Sequence, residues 1–171
     1  MPFTIWQPGM RVTASRANDA AMIGAVVFFA NRGNPQSVPN GVDVAAGAMQ
    51  WDEVQADPLG GWNAAQPSRW TVPRSGLWQL AGAVAFDASG NGTLREAVWY
   101  LNGSAMAMGR ARFAATAFPV QALTVEARTV PRLLTAGDYV ELVAAQNSGA
   151  ALNIATGTYR PYISITYCGP A

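Results

Sequence analysis

Turn chemistry recurs about every ten residues from Ala25 onward, and this spacing restricts the possible folds more than any other feature. The segments NRGNPQSVPNG (31–41), PRSG (73–76), DASGNGT (87–93), NG (102–103) and TAGD (135–138), with the polar stretch 147–157, are rich in Gly, Pro, Asn, Asp and Ser. Such residues accept positive φ, preset φ or bond their own backbone. The runs between them are short and extended. The clearest is 77–86, where Trp78, Leu80, Gly82, Val84 and Phe86 share one face and Leu77, Gln79, Ala81, Ala83 and Ala85 the other. The first is a core face; the second is small and suits a strand covered on both sides. Similar runs are 26–30, 48–54, 68–72, 94–101, 106–113, 120–128, 139–146 and 159–167. Val140, Leu142 and Ala144 point one way, Leu123 and Val125 inward, Ile163 and Ile165 inward. Asn102-Gly103 is a strong hairpin signal. About eight to ten short strands without alternating helices predict an all-β sandwich, barrel or jelly roll.

Two regions depart from this rhythm. Residues 51–80 carry Trp51, Trp62, Trp70 and Trp78 around a Gly/Asn/Pro turn region and read as a corner where strands cross over. Residues 1–23 are turn-forming at first, with Trp6 as an aromatic anchor. Thr13 then caps a short Ala-rich helix over 14–22. A helix this short does not hold itself together in water and must pack on its own domain or on a neighbour. The chain therefore divides into an N-terminal segment, 1–23, and a β domain, 24–171.

Composition bears on association. Only 12% of residues are charged, while 50% are hydrophobic; an average soluble domain has roughly 25% charged residues. A charge-poor surface predicts an oligomer. The eleven basic residues are all arginine and lie scattered, with a net charge of +1, so no nucleic-acid footprint is expected. The longest apolar run, AAMIGAVVFFA, is too short to span a bilayer, so no membrane insertion is expected. Cys168 is the sole cysteine, which leaves only a terminal thiol or an interchain bridge.

Catalysis finds little support. The chain has no histidine, the commonest general base and transition-metal ligand. Asp52 and Glu53 are adjacent and would point to opposite faces of a strand, so they form no dyad. Asp43, Asp57, Asp87 and Asp138 lie in turns and are expected to cap them, with calcium binding the alternative, although no twelve-residue calcium loop is present. Nucleophile-elbow, phosphate-loop and dinucleotide motifs are missing. Neither an enzyme nor a cofactor is expected.

The run WDEV-x7-WN-x6-W-TVP-x2-G-LWQL, followed by WYLNG at 99–103 and L-x2-GD-x-V-x-L at 134–142, resembles the complement C-one-q globular head and tumour necrosis factor superfamily in order and spacing. The resemblance covers about residues 25–167. It implies a ten-stranded jelly roll assembled as a compact homotrimer, with aromatic residues of the last strands, Tyr139, Tyr159 and Tyr162, around the trimer axis. There is no collagen-like stalk and there are no paired cysteines. In the stalk's place, WQPGMRVTASRAND resembles the N-terminal segments of bacteriophage virion proteins, notably minor tail and fibre proteins of actinobacterial phages. The matching residues are Trp6, Gly9, Val12, Thr13, Ala14 and Asn18.

Together these readings predict a TNF-like jelly roll behind a short helical and extended anchor. Its core holds Trp78, Leu80, Val84, Phe86, Val140, Leu142, Ile163 and Ile165. Its outward, partner-binding loops are 87–93, 106–109 and 147–157, represented by Asp87, Asn91, Met106, Asn147 and Asn153. The expected role is a trimeric virion surface protein, either capsid decoration or minor tail and fibre component. Its expected partners are other virion proteins and a host surface glycan. The alternative is a secreted or cell-surface carbohydrate-binding, lectin-like module, which exposed tryptophans in the loops would favour.

Overall fold

A computed structural model describes residues 9–41, 45–115 and 120–170. Helix α1 spans Ala14–Met22, with the Thr13 hydroxyl accepting from the Arg16 amide. Eleven strands follow among the described residues: β1 (Val26–Asn31), β2 (Ser37–Val38), β3 (Glu53–Ala56), β4 (Trp70–Thr71), β5 (Gly76–Phe86), β6 (Leu94–Leu101), β7 (Ser104–Ala114), β8 (Leu123–Leu134), β9 (Tyr139–Gln146), β10 (Leu152–Asn153) and β11 (Tyr162–Gly169). They form a five-stranded sheet in the order β3-β1-β11-β5-β8 and a four-stranded sheet in the order β4-β9-β6-β7, with β10 and β2 paired separately. All pairings are antiparallel. This is a jelly-roll sandwich, all-β apart from its N-terminal helix.

The two sheets meet over an aromatic spine. Phe28 of β1 stacks on Trp70 of β4, their rings 6.1 Å apart; Trp70 meets Trp78 of β5 edge-on at 5.3 Å, and Trp78 meets Tyr167 of β11 at 4.8 Å. Edge-on contacts of this kind add to plain area burial. Trp78, Leu80, Val84, Phe86, Val140, Leu142, Ile163 and Ile165 are all fully buried here. The inward face of β5 includes Gly82 because a Cβ there would lie 2.9 Å from the Tyr162 carbonyl and 3.1 Å from Leu142.

The corner at 51–80 has a specific internal bracing. Asp57 Oδ1 accepts from the Gly61 amide at 3.0 Å and the Trp70 indole at 3.2 Å, while Oδ2 accepts from the Trp62 amide at 2.9 Å. Trp51, Trp70, Trp78 and Trp99 are all fully buried. Among the described residues only the Trp70 indole of these four has an acceptor. Gly61 is needed for this closure, since a Cβ would stand 2.4 Å from the Trp70 indole nitrogen.

Several element boundaries differ from expectation for identifiable reasons. The run 48–54 is not one strand. Ala48 bridges Val143 in the four-stranded sheet, whereas β3 begins at Glu53 in the other, so the chain changes sheets at Trp51. The run ending at 128 continues to Leu134 through Pro131; β8 is an edge strand, where a residue lacking an N–H is tolerated. Residues 157–159 form a 3-10 turn, and the last strand starts at Tyr162.

Candidate functional site

The strands run between two opposite ends of the molecule. At one end, the Gly24 amide donates to Tyr167 at 2.7 Å, and Arg74 reaches Met22 and covers the Tyr167 ring. These contacts fix the end of α1. Trp78 sits at this level of β5, and Phe86, eight residues on, marks the other end, roughly 26 Å away at ~3.3 Å per residue.

Of the expected anchoring residues, Trp6 lies outside the described residues. Gly9, Val12, Ala14 and Asn18 are exposed or nearly so, Val12 at 61%, and Thr13 is the helix cap. Among the described side chains of α1, Met22 is the one that packs against the core. The helix thus presents most of its surface outward, although its length gives it no independent stability.

The opposite end is a set of loops held by buried polar side chains. Arg95, 1% exposed, donates to the carbonyls of Leu94 (2.8 Å), Asn91 (3.0 Å) and Ser89 (3.4 Å) and lies beside the Phe86 ring. Burial pushes its guanidinium pKa down. Gln146, also buried, donates to Ala150 and Val38 and accepts from the Ser148 amide. Asn147 accepts from the Thr93 and Leu94 amides at 2.9 and 2.7 Å and donates to the Thr93 hydroxyl. Loops 87–93 and 147–153 are thereby tied to each other and, through Asn40 and Val38, to β2. Asp87, Asn91, Asn147 and Asn153 are exposed on this end.

Met106 does not belong with them. It lies in β7, 8% exposed, at the α1 end of the sandwich. Its place in the strand explains this. Residues 106–109 oppose Trp99 alone, between the Val98↔Arg110 and Tyr100↔Ala105 pairs, so β7 bulges there. Met108 takes φ 63° and turns its side chain outward, 67% exposed, while Met106 turns in.

The three tyrosines are also separated. Tyr139 sits on the outer face of the four-stranded sheet under Arg69, 4.2 Å from its ring centroid, whereas its neighbour Val140 faces the core. Tyr162 lies on the outer face of the five-stranded sheet, beside Ala83 and Glu126. Burial first, and then the Glu126 charge, raises its phenol pKa. Tyr159 is 52% exposed in the 157–159 turn. Tyr139 and Tyr162 therefore look out from opposite sheets and do not share one surface of a protomer.

Asp52, Asp57 and Asp138 face N–H donors, whereas among the described residues the exposed Asp87 is held only through its backbone amide. Asp52 accepts from the amides of Gly33 (2.7 Å) and Asn34 (3.1 Å) and from the Asn34 side chain (2.8 Å), with Arg32 at 3.2 Å. Burial acts to raise its pKa, but these donors outweigh it and hold the carboxyl below its ordinary value. Asp138 accepts from Thr135 and Asn102. Asp43 falls outside the described residues. Glu53 pairs with Arg160 at 2.5 Å, and its carboxylate lies over Gly33, whose amide donates to Asp52. Among the described residues no three His, Cys, Asp or Glu side chains stand together as metal ligands.

Sequence reasoning missed two charged features. Glu96 is fully buried between Arg110, at 2.7 Å, and Arg112 on the outer face of the four-stranded sheet. Arg95 is buried on the inner face of the same strand. Their adjacency in LREAV gave the period-two signal, but a strand with one charge on each face offers no cue to which is buried.

No family model matches the chain, and no curated protein sequence does either. Among solved structures, the Eiger TNF from S. frugiperda is similar with a TM-score of 0.62 at 10% identity, over 85% of this chain and 94% of that one. At that identity the likeness is one of fold, and this chain has the fold of a TNF-like jelly roll.

Proposed function

We propose that this chain is a non-enzymatic, homotrimeric bacteriophage virion surface protein, anchored to the particle through residues 1–23 and displaying its jelly roll outward. The carrying observation is the polarity of the domain. A helix exposed along all its described side chains but Met22 sits at one end, and loops held by Arg95, Gln146 and Asn147 sit at the other. A short helix with an uncovered surface calls for a partner, and pre-organised loops keep the entropy cost of recognition low. The phage setting rests on the likeness of WQPGMRVTASRAND to virion N-terminal segments.

Self-association is supported by the outer face of the five-stranded sheet. There Ala81, Tyr162 and Ser164 are half-buried around a buried Ala83, and Glu126 is the nearby charge. A ring of copies closes through such a face without needing a stalk. The lectin-like alternative called for exposed loop tryptophans. Among the described residues every tryptophan is buried or half-buried.

Light scattering at micromolar concentration tests the assembly: about three times the 18.0 kDa chain mass is expected, and a monomer would refute it. Deletion of residues 1–23 should leave a folded trimer that no longer enters particles. Binding of the full chain to expanded empty heads assigns it to the capsid, and binding to tails alone assigns it to the tail.

A further inference from the structure

Both sheets leave a free edge on the same side of the sandwich, β7 of one and β8 of the other. Between them, next to the bulge at 106–109, a groove of about 300 Å³ opens to solvent. Leu101, Ala105, Met106 and Leu133 line it with aliphatic surface, Ser104 stands among them, and Arg132 supplies its charge. Arg132 pairs across the sheet with Trp78 and so lies on the inner, core-facing side of β8.

Among the described residues, Arg132 shares with Arg95 the lack of a carboxylate partner, but it stands at the edge of an open groove. Arg32, Arg69, Arg110, Arg112 and Arg160 each meet a carboxylate. Arg132 donates instead to the Ala107 carbonyl in the bulge, and its buried Nε has no acceptor among the described residues. A guanidinium offers five donors in a planar fork that fits a carboxylate through two parallel bonds. Here Nε is buried, so the fork offers a ligand only its terminal nitrogens, in a mostly apolar cleft with no carboxylate beside it among the described residues.

We propose that this groove binds a small apolar monocarboxylate, with its carboxylate on the Arg132 fork and its hydrocarbon body along Leu101, Met106 and Leu133. One guanidinium balances one negative charge, so the site suits a carboxylate monoanion rather than a phosphate monoester dianion. The volume falls at the lower end of small-molecule sites, which run from ~300 to 1,000 Å³. The site is separate from both α1 and the clasped loops, and it does not depend on the particle reading.

The test uses the full chain with octanoate and octanol as probes. The Met106 methyl resonance, assigned by loss in Met106→Leu, reports on the groove. Octanoate should shift it saturably and bind at least tenfold more tightly than octanol. Arg132→Met should abolish that preference. Ala105→Trp, at an exposed position on the rim, should block both probes while leaving the fold intact by near-UV dichroism, so the proposal stays testable if Arg132→Met fails to fold. Equal binding of the two probes, unchanged octanoate binding in Ala105→Trp, or no saturable shift in the wild type would overturn it. A Met106 shift that follows protein concentration instead of octanoate would assign the groove to a second copy of the chain, and would overturn it equally.

Discussion

Asp57→Ala is the most direct probe of the tryptophan corner. The substitution removes the acceptor for three donors: the Trp70 indole at 3.2 Å, the Gly61 amide at 3.0 Å and the Trp62 amide at 2.9 Å. Trp70 is fully buried, so its indole N–H is left without a partner and the full desolvation penalty applies, about 2 kcal/mol within the ~1–3 range. Gly61 is buried, but Trp62 is half-buried and water recovers part of what its amide loses, so the two amides together add about 1 kcal/mol. The total is about 3 kcal/mol. For a domain of this size each kcal/mol lowers Tm by roughly 2–4 °C, so a fall of about 6–12 °C is expected. Asp57→Asn keeps one acceptor oxygen for Gly61 and Trp70 but turns an amide donor toward Trp62, and should lose about half as much. Thermal unfolding followed by near-UV dichroism measures both. An Asp57→Ala Tm within about 2 °C of wild type would refute the view that this carboxylate braces the corner.

Arg95→Met should leave global stability within about 1 kcal/mol, because a buried charge without a carboxylate is exchanged for an apolar chain of similar length. Amide exchange across 87–93 should nevertheless accelerate at least tenfold; unchanged protection would show that Arg95 does not hold the loop. Glu96→Gln leaves Arg110 and Arg112 facing each other. Both arginines are partly solvated, which reduces the usual ~3–5 kcal/mol for breaking a buried pair to about 2 kcal/mol. Adding Arg112→Met should recover part of that loss in a double-mutant cycle, and strict additivity would argue against coupling. Asp52 has a folded pKa below its unfolded value near 3.8, so its contribution is complete above that pH and disappears as pH falls through the folded value. Denaturant midpoints measured against pH should therefore drop more steeply below about pH 4 in wild type than in Asp52→Asn. Parallel acid limbs would contradict the assignment.

Strands with uninterrupted alternation were legible from the sequence: β5, β6 and β9 each carry an inward file that ends in turn residues, and the 102–103 turn takes positive φ at both positions as its Asn-Gly sequence requires. The cap at Thr13 was equally local. Pairings between distant residues were not legible. β2 and β10 are two residues long and exist because Val38 meets Leu152 across 114 positions of chain, which no window of sequence reports. At the loop end, Asn147 reads as a turn residue, yet its side chain caps Thr93 and Leu94 on another connection. The Arg132 groove depends on the bulge that turns Met106 inward, and a run such as SAMAMGRA does not announce which methionine is buried.

All four edges of the two main sheets are blunt. β3 has four residues and β4 two, β7 is interrupted by the bulge at 106–109, and β8 carries Pro131. Unpaired backbone on a long flat edge templates strand addition between copies, and each of these devices removes it. A chain built this way can be packed at very high local density without polymerising through its backbone. Whatever contacts it makes with its own copies must run through side chains on its faces, where single substitutions can tune them without exposing a strand.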